Sequence, residues 1–347
     1  MRARRSRILL LLSVLWIGAL GACARPTTVG PIGGSTNPTA SSGGSTSPVE
    51  IRIGHGFAAE ENLWLMKAKP ELAPNQDRLY RLTFTAFRGN ADRLSAYEAG
   101  QLDGGTISAP TALFSTEQGM PLKLVASVVR ERPGYFNTTF LALSDAGIRG
   151  PADARGKTVG IVDFKSATEL WARAALETAG LEPERDYKLV IVPFPAMGEA
   201  LRSRRIDVGV FPDPFATIEQ RRGGVVDVWT SKTGVPFEEE LLFLFLRPEF
   251  IAQHRDAARA FLADFVNTTR WYVDHLAEAR QALLDSPQKF VQTEPELYLQ
   301  LKDSYRDPTG RINLEALQQQ QEMFLKLGWM ERRLDLNALV DLSLLPQ

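Results

Sequence analysis

The sequence predicts an α/β fold made of two βα units. Three observations carry that prediction. Short apolar strands alternate with helical stretches in two separate series, over residues 50–144 and 157–230, the pattern of mostly parallel sheets flanked by helices. The 347 residues, 44% hydrophobic and 23% charged, have globular proportions and length enough for two domains or lobes. A stretch rich in Gly, Ser, Thr and Pro separates this body from an apolar N-terminal segment.

The N-terminal segment reads as a targeting signal. Arg2, Arg4, Arg5 and Arg7 form a basic leader, and residues 8–20 are almost continuously apolar. That run is short of the ~20 residues a membrane span needs, but it fits a signal core. It closes on Leu20-Gly21-Ala22-Cys23, and Cys23 is the sole cysteine. The arrangement resembles a bacterial lipobox, which implies that residues 1–22 are a lipoprotein signal peptide and that the Cys23 thiol carries the lipid. More than one acyl chain makes such anchoring stable. Residues 23–48 would then be the lipidated cysteine and a tether. Its composition cannot bury enough surface to fold, and a flexible coil of that length spans about 27 Å r.m.s.. Loss of residues 1–22 would remove four arginines and no acid, moving the net charge from −1 to −5.

The body begins at about Val49. Residues 50–53 alternate and stop at Gly54, residues 80–87 alternate again, and both read as strands. A helix over 91–99 is ended by Gly100, and strands follow at 103–108, 122–129 and 139–144. The second series runs strand 158–162, helix 167–179, strand 188–193, helix 197–204, strand 206–211, helix 215–222 and strand 225–230, with Gly180 and Gly223-Gly224 as helix stops. Residues 241–246 are apolar throughout, as in a buried strand. Beyond them the chain reads as helical: Ala257, Phe261, Leu262, Phe265, Val266, Val273 and Leu276 share one face, and residues 315–327 form a further helix.

Composition excludes several functions. Forty Lys+Arg against 41 Asp+Glu is not a nucleic-acid footprint. One cysteine forbids an internal disulfide, and His55, His254 and His275 are too scattered for a close pair of metal-binding histidines. Residues 150–158 mimic a P-loop, but five residues separate Gly150 from Gly156, and Lys157-Thr158 opens a strand where a P-loop opens a helix. No Gly-x-Ser-x-Gly elbow is present. No metal or cofactor is expected.

Four blocks carry a family resemblance. They are residues 93–105 (RLSAYEAGQLDGG), 119–126 (GMPLKLVA), 147–160 (GIRGPADARGKTVG) and 200–210 (ALRSRRIDVGV) running into Pro212-Asp213-Pro214. In this order and spacing they resemble the substrate-binding lipoproteins of ABC importers, in the superfamily of nitrate, sulfonate, taurine and thiamine-precursor binders. Two loops depart from the pattern: residues 55–79 lack a Lys-Gly-hydrophobic-Phe turn, and the loop after the first strand of the second series reads Asp163-Phe164-Lys165-Ser166. The resemblance implies a type II periplasmic-binding-protein-like fold. Residues 49–143 would begin lobe 1, 144–236 would form lobe 2, and 237–347 would complete lobe 1 and add the C-terminal helices. Hinges are expected near Ser144 and residues 234–238.

In open parallel sheets ligands sit beyond the carboxyl ends of strands, beside helix N-termini. That topology nominates His55, Phe57, Arg88, Asn90, Ser108, Pro110 and Thr111 from lobe 1, and Lys165, Ser166, Thr168, Phe194, Met197 and Asp213 from lobe 2. Arg88 offers a bidentate fork for a carboxylate or sulfonate. One or two of Phe57, Phe87, Phe164, Phe194 and Phe211 are expected to face a planar ligand. Ser166-Ala167-Thr168-Glu169 is also a capping box, with Ser166 as N-cap and Glu169 reaching back. The expected protein is therefore no enzyme. It is a monomeric capture lipoprotein on the outer face of the cytoplasmic membrane, delivering a small anion or heteroaromatic vitamin precursor to an ABC permease and its ATPase. Two alternatives remain open: an enzyme of thiamine-precursor or menaquinone synthesis on the same scaffold, and a ligand-sensing lipoprotein.

Overall fold

The computed structural model describes residues 47–291 and 293–347. The expected signal peptide, Cys23 and nearly all of the tether lie outside the described residues.

The chain first lays down β1 (Val49–His55), α1 (Glu61–Ala68), β2 (Tyr80–Ala86), α2 (Asn90–Glu98), β3 (Gly104–Ser108), α3 (Ala109–Glu117) and β4 (Lys123–Glu131). It then crosses to β5 (Thr139–Leu143), β6 (Thr158–Ile161), α4 (Ala167–Glu177), β7 (Lys188–Ile191), α5 (Phe194–Arg202), β8 (Val208–Phe211), α6 (Phe215–Arg222) and β9 (Val225–Thr230). It returns with β10 (Glu239–Leu246) and continues through α7 (Pro248–Gln253), α8 (Arg255–Asp274), α9 (Leu276–Asp285), α10 (Pro295–Gln300), α11 (Leu314–Lys326) and α12 (Leu336–Leu339).

Two five-stranded sheets result, ordered β2-β1-β3-β10-β4 and β7-β6-β8-β5-β9. They share one plan. Three parallel strands stand side by side, and the fourth place is taken by an antiparallel strand, β10 or β5. Each of these is the first strand laid down after a crossing between lobes. This corrects one expected boundary. Residues 139–143 pair with β8 and β9 and belong to the second lobe, so the first crossing is residues 132–138 and not the region of Ser144. An apolar strand fits either sheet, and its sequence does not say which partner it finds. The return crossing is residues 231–238.

Buried carboxylates tie the crossings together. Glu131 accepts from Thr138 N (3.1 Å), Thr138 Oγ1 (2.8 Å), Asn137 Nδ2 (2.7 Å) and Ser231 Oγ (2.9 Å). Glu239 accepts from Trp171 Nε1 at 3.1 Å and pairs with Lys232. Glu240 accepts from Arg130 Nε (2.7 Å), Ser127 Oγ (2.7 Å) and Asn313 N (2.6 Å).

The helices α1 and α3 escaped the sequence reading for one reason. Residues 62–66 and 109–115 are buried consecutively, so neither helix shows the one-sided apolar period of a surface helix. The long α8 packs Phe261 and Phe265 into the core of the first sheet with Tyr80, Val125 and Leu244. Its expected apolar face extends too far, since Val273 is exposed and Leu276 already begins α9. Helix α3 of lobe 1 packs on α4 of lobe 2, and the lobes meet over an apolar core.

Candidate ligand-binding cleft

Between the lobes lies a cleft of about 750 Å³, counting its opening to solvent. Lobe 1 contributes the turn after β1, the start of α2, the end of β3 and the β10 residues Leu241 and Leu242; lobe 2 contributes the starts of α4 and α5. Of the expected residues, Phe57, Arg88, Asn90, Ser108, Ser166, Thr168 and Phe194 line this space together. Phe87 lines it too, so three phenylalanines of the expected five face the cleft. Phe164 points to solvent and Phe211 is buried away from it.

The other expected residues are elsewhere. His55 is packed among the rings of Trp64, Phe84 and Phe290, with Nδ1 3.1 Å from Trp64 Nε1 and 2.8 Å from the Gly56 carbonyl. Asp213 accepts from Thr217 N (3.1 Å) and Oγ1 (2.8 Å) and lines a neighbouring polar recess with Arg280, Asp303 and Arg306. Met197 is fully buried in the core, and Pro110 lies in the first turn of buried α3. Lys165 directs its ammonium over the Phe114 ring, 5.9 Å from the centroid. Its backbone N–H is taken by Glu169 Oε2 at 2.6 Å, and Ser166 Oγ accepts from Glu169 N at 3.4 Å. The start of α4 is thus self-capped, with the glutamate reaching one residue further back than a capping box requires.

Thr111 bridges the two lobes. Its Oγ1 donates to the Lys165 carbonyl across the lobes at 2.7 Å and accepts from Asn90 Nδ2 at 3.2 Å. Beside it, Asp163 Oδ2 of lobe 2 accepts from Ala91 N at the start of α2, 3.0 Å away. Burial pushes the Asp163 carboxyl up from its ordinary value, opposed by the Ala91 N–H. These two contacts clasp the lobes, at a net worth of ~1–2 kcal/mol together. Asp163→Ala with Thr111→Val is expected to shift the ligand-free protein toward an open form. An increased radius of gyration in small-angle scattering is the reading; an unchanged curve would show that the clasp holds nothing.

Sequence reasoning missed a buried cation of the cleft. Arg93, on the second turn of α2, is only 5% exposed and lines the cleft. Its Nη1 donates to Thr106 Oγ1 at 2.6 Å and to the Thr106 carbonyl; Thr106 Oγ1 donates on to Glu60 Oε1 at 2.7 Å. Glu60 also holds Gly56 N with both oxygens. Arg93 Nε has no hydrogen-bond partner among the described residues. Burial pushes its guanidinium down from the ordinary value, and Glu60 opposes that. The signal was present: Arg93 stands four residues before Tyr97, which is fully buried, so both share the inward face of the helix. Arg88, by contrast, is exposed at the cleft's edge.

The charged lining is Arg88, Arg93 and Glu60, one net positive charge in walls of Phe, Trp, Leu, Val and Pro. Low polarity around a buried guanidinium strengthens its attraction for an anion. Such a site suits a singly charged anion with an apolar body.

The His55 environment has a pH consequence. Burial pushes this imidazole below its ordinary value, outweighing Glu60. The unfolded chain therefore binds a proton first as pH falls below ~6.5. Stability from this group is present above that pH and lost below it, at up to ~1.4 kcal/mol per pH unit. His55→Gln is expected to flatten the decline of Tm between pH 7 and 5; parallel curves would remove His55 as the cause.

Comparison with known proteins places this architecture. The NMT1-like family model matches residues 47–284. The chain is 24% identical over 184 residues to the nitrate/nitrite binding protein NrtA of Nostoc sp., covering 50% of this chain and 41% of that one. It is 32% identical over 114 residues to the tetrathionate sensor histidine kinase TtrS of Salmonella typhimurium, covering 30% of this chain and 19% of that one. The chain thus spans less than half the length of either curated relative. Among solved structures, it superposes with a TM-score of 0.71 on the ligand-binding component of an ABC-type import system from Staphylococcus aureus, solved with zinc bound, at 19% identity over 85% of this chain and 97% of that one. Among the described residues, no cluster of three His, Cys, Asp or Glu could hold a metal ion. The two matching sheet plans, the cleft between them and a family match over more than half the sequence lead to one assignment: the chain belongs to the NMT1-like family.

Proposed function

We propose that this protein captures a small organic anion outside the cytoplasm and delivers it to an ABC importer. The observation that carries the reading is Arg93, a buried guanidinium lining an apolar cleft of net charge +1, its Nε without a hydrogen-bond partner among the described residues. Ligand contacts from both lobes form only when the lobes are closed, so the ligand shifts the population toward closure. The closed form docks on a permease whose ATPase drives import. In this reading the protein is a monomer held by a lipid on Cys23, with 24–48 as its tether, and catalyses nothing. The relatives support it: the Nostoc protein binds nitrate and nitrite, and the Staphylococcus aureus protein is an importer's ligand-binding component.

A second reading follows from the 32% identity to the tetrathionate sensor kinase: capture by the same cleft could signal to a membrane kinase. A thermal-shift screen against sulfonates, taurine, nitrate, bicarbonate, aminopyrimidines and thiamine tests the capture step. A ligand at 100 times its Kd should stabilise the fold by about 2.7 kcal/mol. Stabilisation by anions, without turnover, supports the reading; stabilisation by uncharged aminopyrimidines alone would overturn the anion assignment. Recovery of a permease with the closed protein, or of a kinase, separates import from sensing.

A further inference from the structure

The Arg93 cleft adjoins a second chamber, which no step of the reading above uses. This chamber also lies between the lobes and holds about 1140 Å³, counting its opening to solvent. Phe57, Phe194 and Pro195 line both spaces and so stand at the boundary where the two meet. Its other aromatic residues come from both lobes: Trp64, Phe290 and Tyr298 on one side, Phe211 and Phe215 on the other. Phe215 and Phe194 stack at 5.9 Å between centroids.

The charged groups of the chamber are mostly paired with one another or with neighbours. Glu61, Glu199, Glu219 and Arg222 line it. Arg222 is paired with Glu219 at 2.9 Å, and Glu61 with Arg306. Arg202 also holds Glu219, at 2.6 Å. Glu199 is thus the one lining carboxylate without a cation partner among the described residues, and the chamber offers no unpaired cation to compete with Arg93 for an anionic group. Aromatic walls, in turn, gain most from covering an apolar body. A ligand entering both spaces has one favoured orientation, head at Arg93 and body past Phe57 and Phe194.

We propose that this chamber takes the organic tail of the solute, so that the protein selects monoanions with an extended apolar or aromatic body over compact inorganic ions. The proposal rests on the cleft being an anion site. Calorimetric titration of the protein with nitrate, methanesulfonate, butanesulfonate, hexanesulfonate and 2-naphthalenesulfonate tests it. Affinity is expected to rise up to about fourfold per methylene covered (~0.8 kcal/mol each), with 2-naphthalenesulfonate at least tenfold tighter than methanesulfonate. Phe215→Ala is expected to weaken hexanesulfonate and 2-naphthalenesulfonate about tenfold and to leave methanesulfonate unchanged, because Phe215 lines the chamber and not the cleft. Phe215→Leu, which keeps the bulk, should weaken only the aromatic probe. Equal affinity along the series, or a tail gain that survives Phe215→Ala, would overturn the chamber while leaving the anion site standing. Absence of binding by every probe, nitrate and methanesulfonate included, would overturn the anion site and the chamber with it.

Discussion

Arg93→Met is expected to weaken anion binding by about a hundredfold or more while the protein stays folded. The loss follows from what the guanidinium faces. It is nearly sealed from water, and the Nε has no partner among the described residues. Removing one partner from a buried, charged hydrogen-bonded pair costs 2–5 kcal/mol, and hydrogen bonds to charged groups are worth ~1.5–3 kcal/mol each. Folding is weakened as well, because Glu60 is left buried without the cation beside it, and removing one partner of a buried charge pair is destabilising. Glu60 keeps the Gly56 N–H and the Thr106 hydroxyl, and circular dichroism checks that the variant titrated is folded. Arg93→Lys should recover part of the affinity, since it restores the charge without the planar fork. Arg88→Ala should act weakly, through association rate and salt dependence, because an exposed charge is screened. Titration with a stabilising anion at two salt concentrations reads all three variants. If Arg93→Met binds normally and Arg88→Ala does not, the anchor is at the cleft's mouth and the floor is structural.

The largest loss of stability is expected at the crossings. Arg130→Met should cost about 3–5 kcal/mol. Arg130 holds Glu240 at 2.7 Å, and that side chain has no exposed surface. Burial already pushes the Glu240 carboxyl up to about 7 with the cation in place. Without the cation, the folded-state value rises further. A carboxyl raised in the folded state favours folding at low pH and loses that contribution as pH climbs from its unfolded value through its folded one. The deficit of Arg130→Met relative to the parent should therefore be small near pH 4.5 and grow through pH 7 and above. Chemical denaturation at several pH values measures it. A deficit independent of pH would mean that Arg130 stabilises through its pairs with Glu238 and Asp307, 3.3 Å each, and its packing on Tyr305, 5.6 Å from the ring centroid, and not through Glu240. Because Glu240 lies on the strand that follows the return crossing, loss of this pair should also loosen the setting of the lobes.

Much of the fold was legible in the sequence. The alternation of residues 50–53, the glycine stops at Gly100, Gly180 and Gly223, and the Ser166 N-cap of α4 are local signals, fixed by period and by cap and turn chemistry. The four blocks in order pointed to the two-lobed plan. Seven expected cleft residues follow strands whose carboxyl ends do face the gap, because βα topology alone sets that geometry. His55, Thr111, Lys165 and Asp213 also follow strands, but a position after a strand does not say which way a side chain turns. His55 turns into an aromatic pocket, Thr111 across the lobes, Lys165 over Phe114, and Asp213 into the polar recess.

The sequence by itself determined the two series of strands and helices, the near-even balance of acids and bases, and the family resemblance. These depend on residue type and spacing along the chain. Only the tertiary structure decided that β5 belongs to the second sheet, that α1 and α3 are helices buried on every side, and that Arg93, not Arg88, is the sealed cation of the cleft. Those outcomes depend on partners far away in sequence: β8 and β9 for β5, Thr106 and Glu60 for Arg93. Pairing and desolvation act through space, and no local pattern records them.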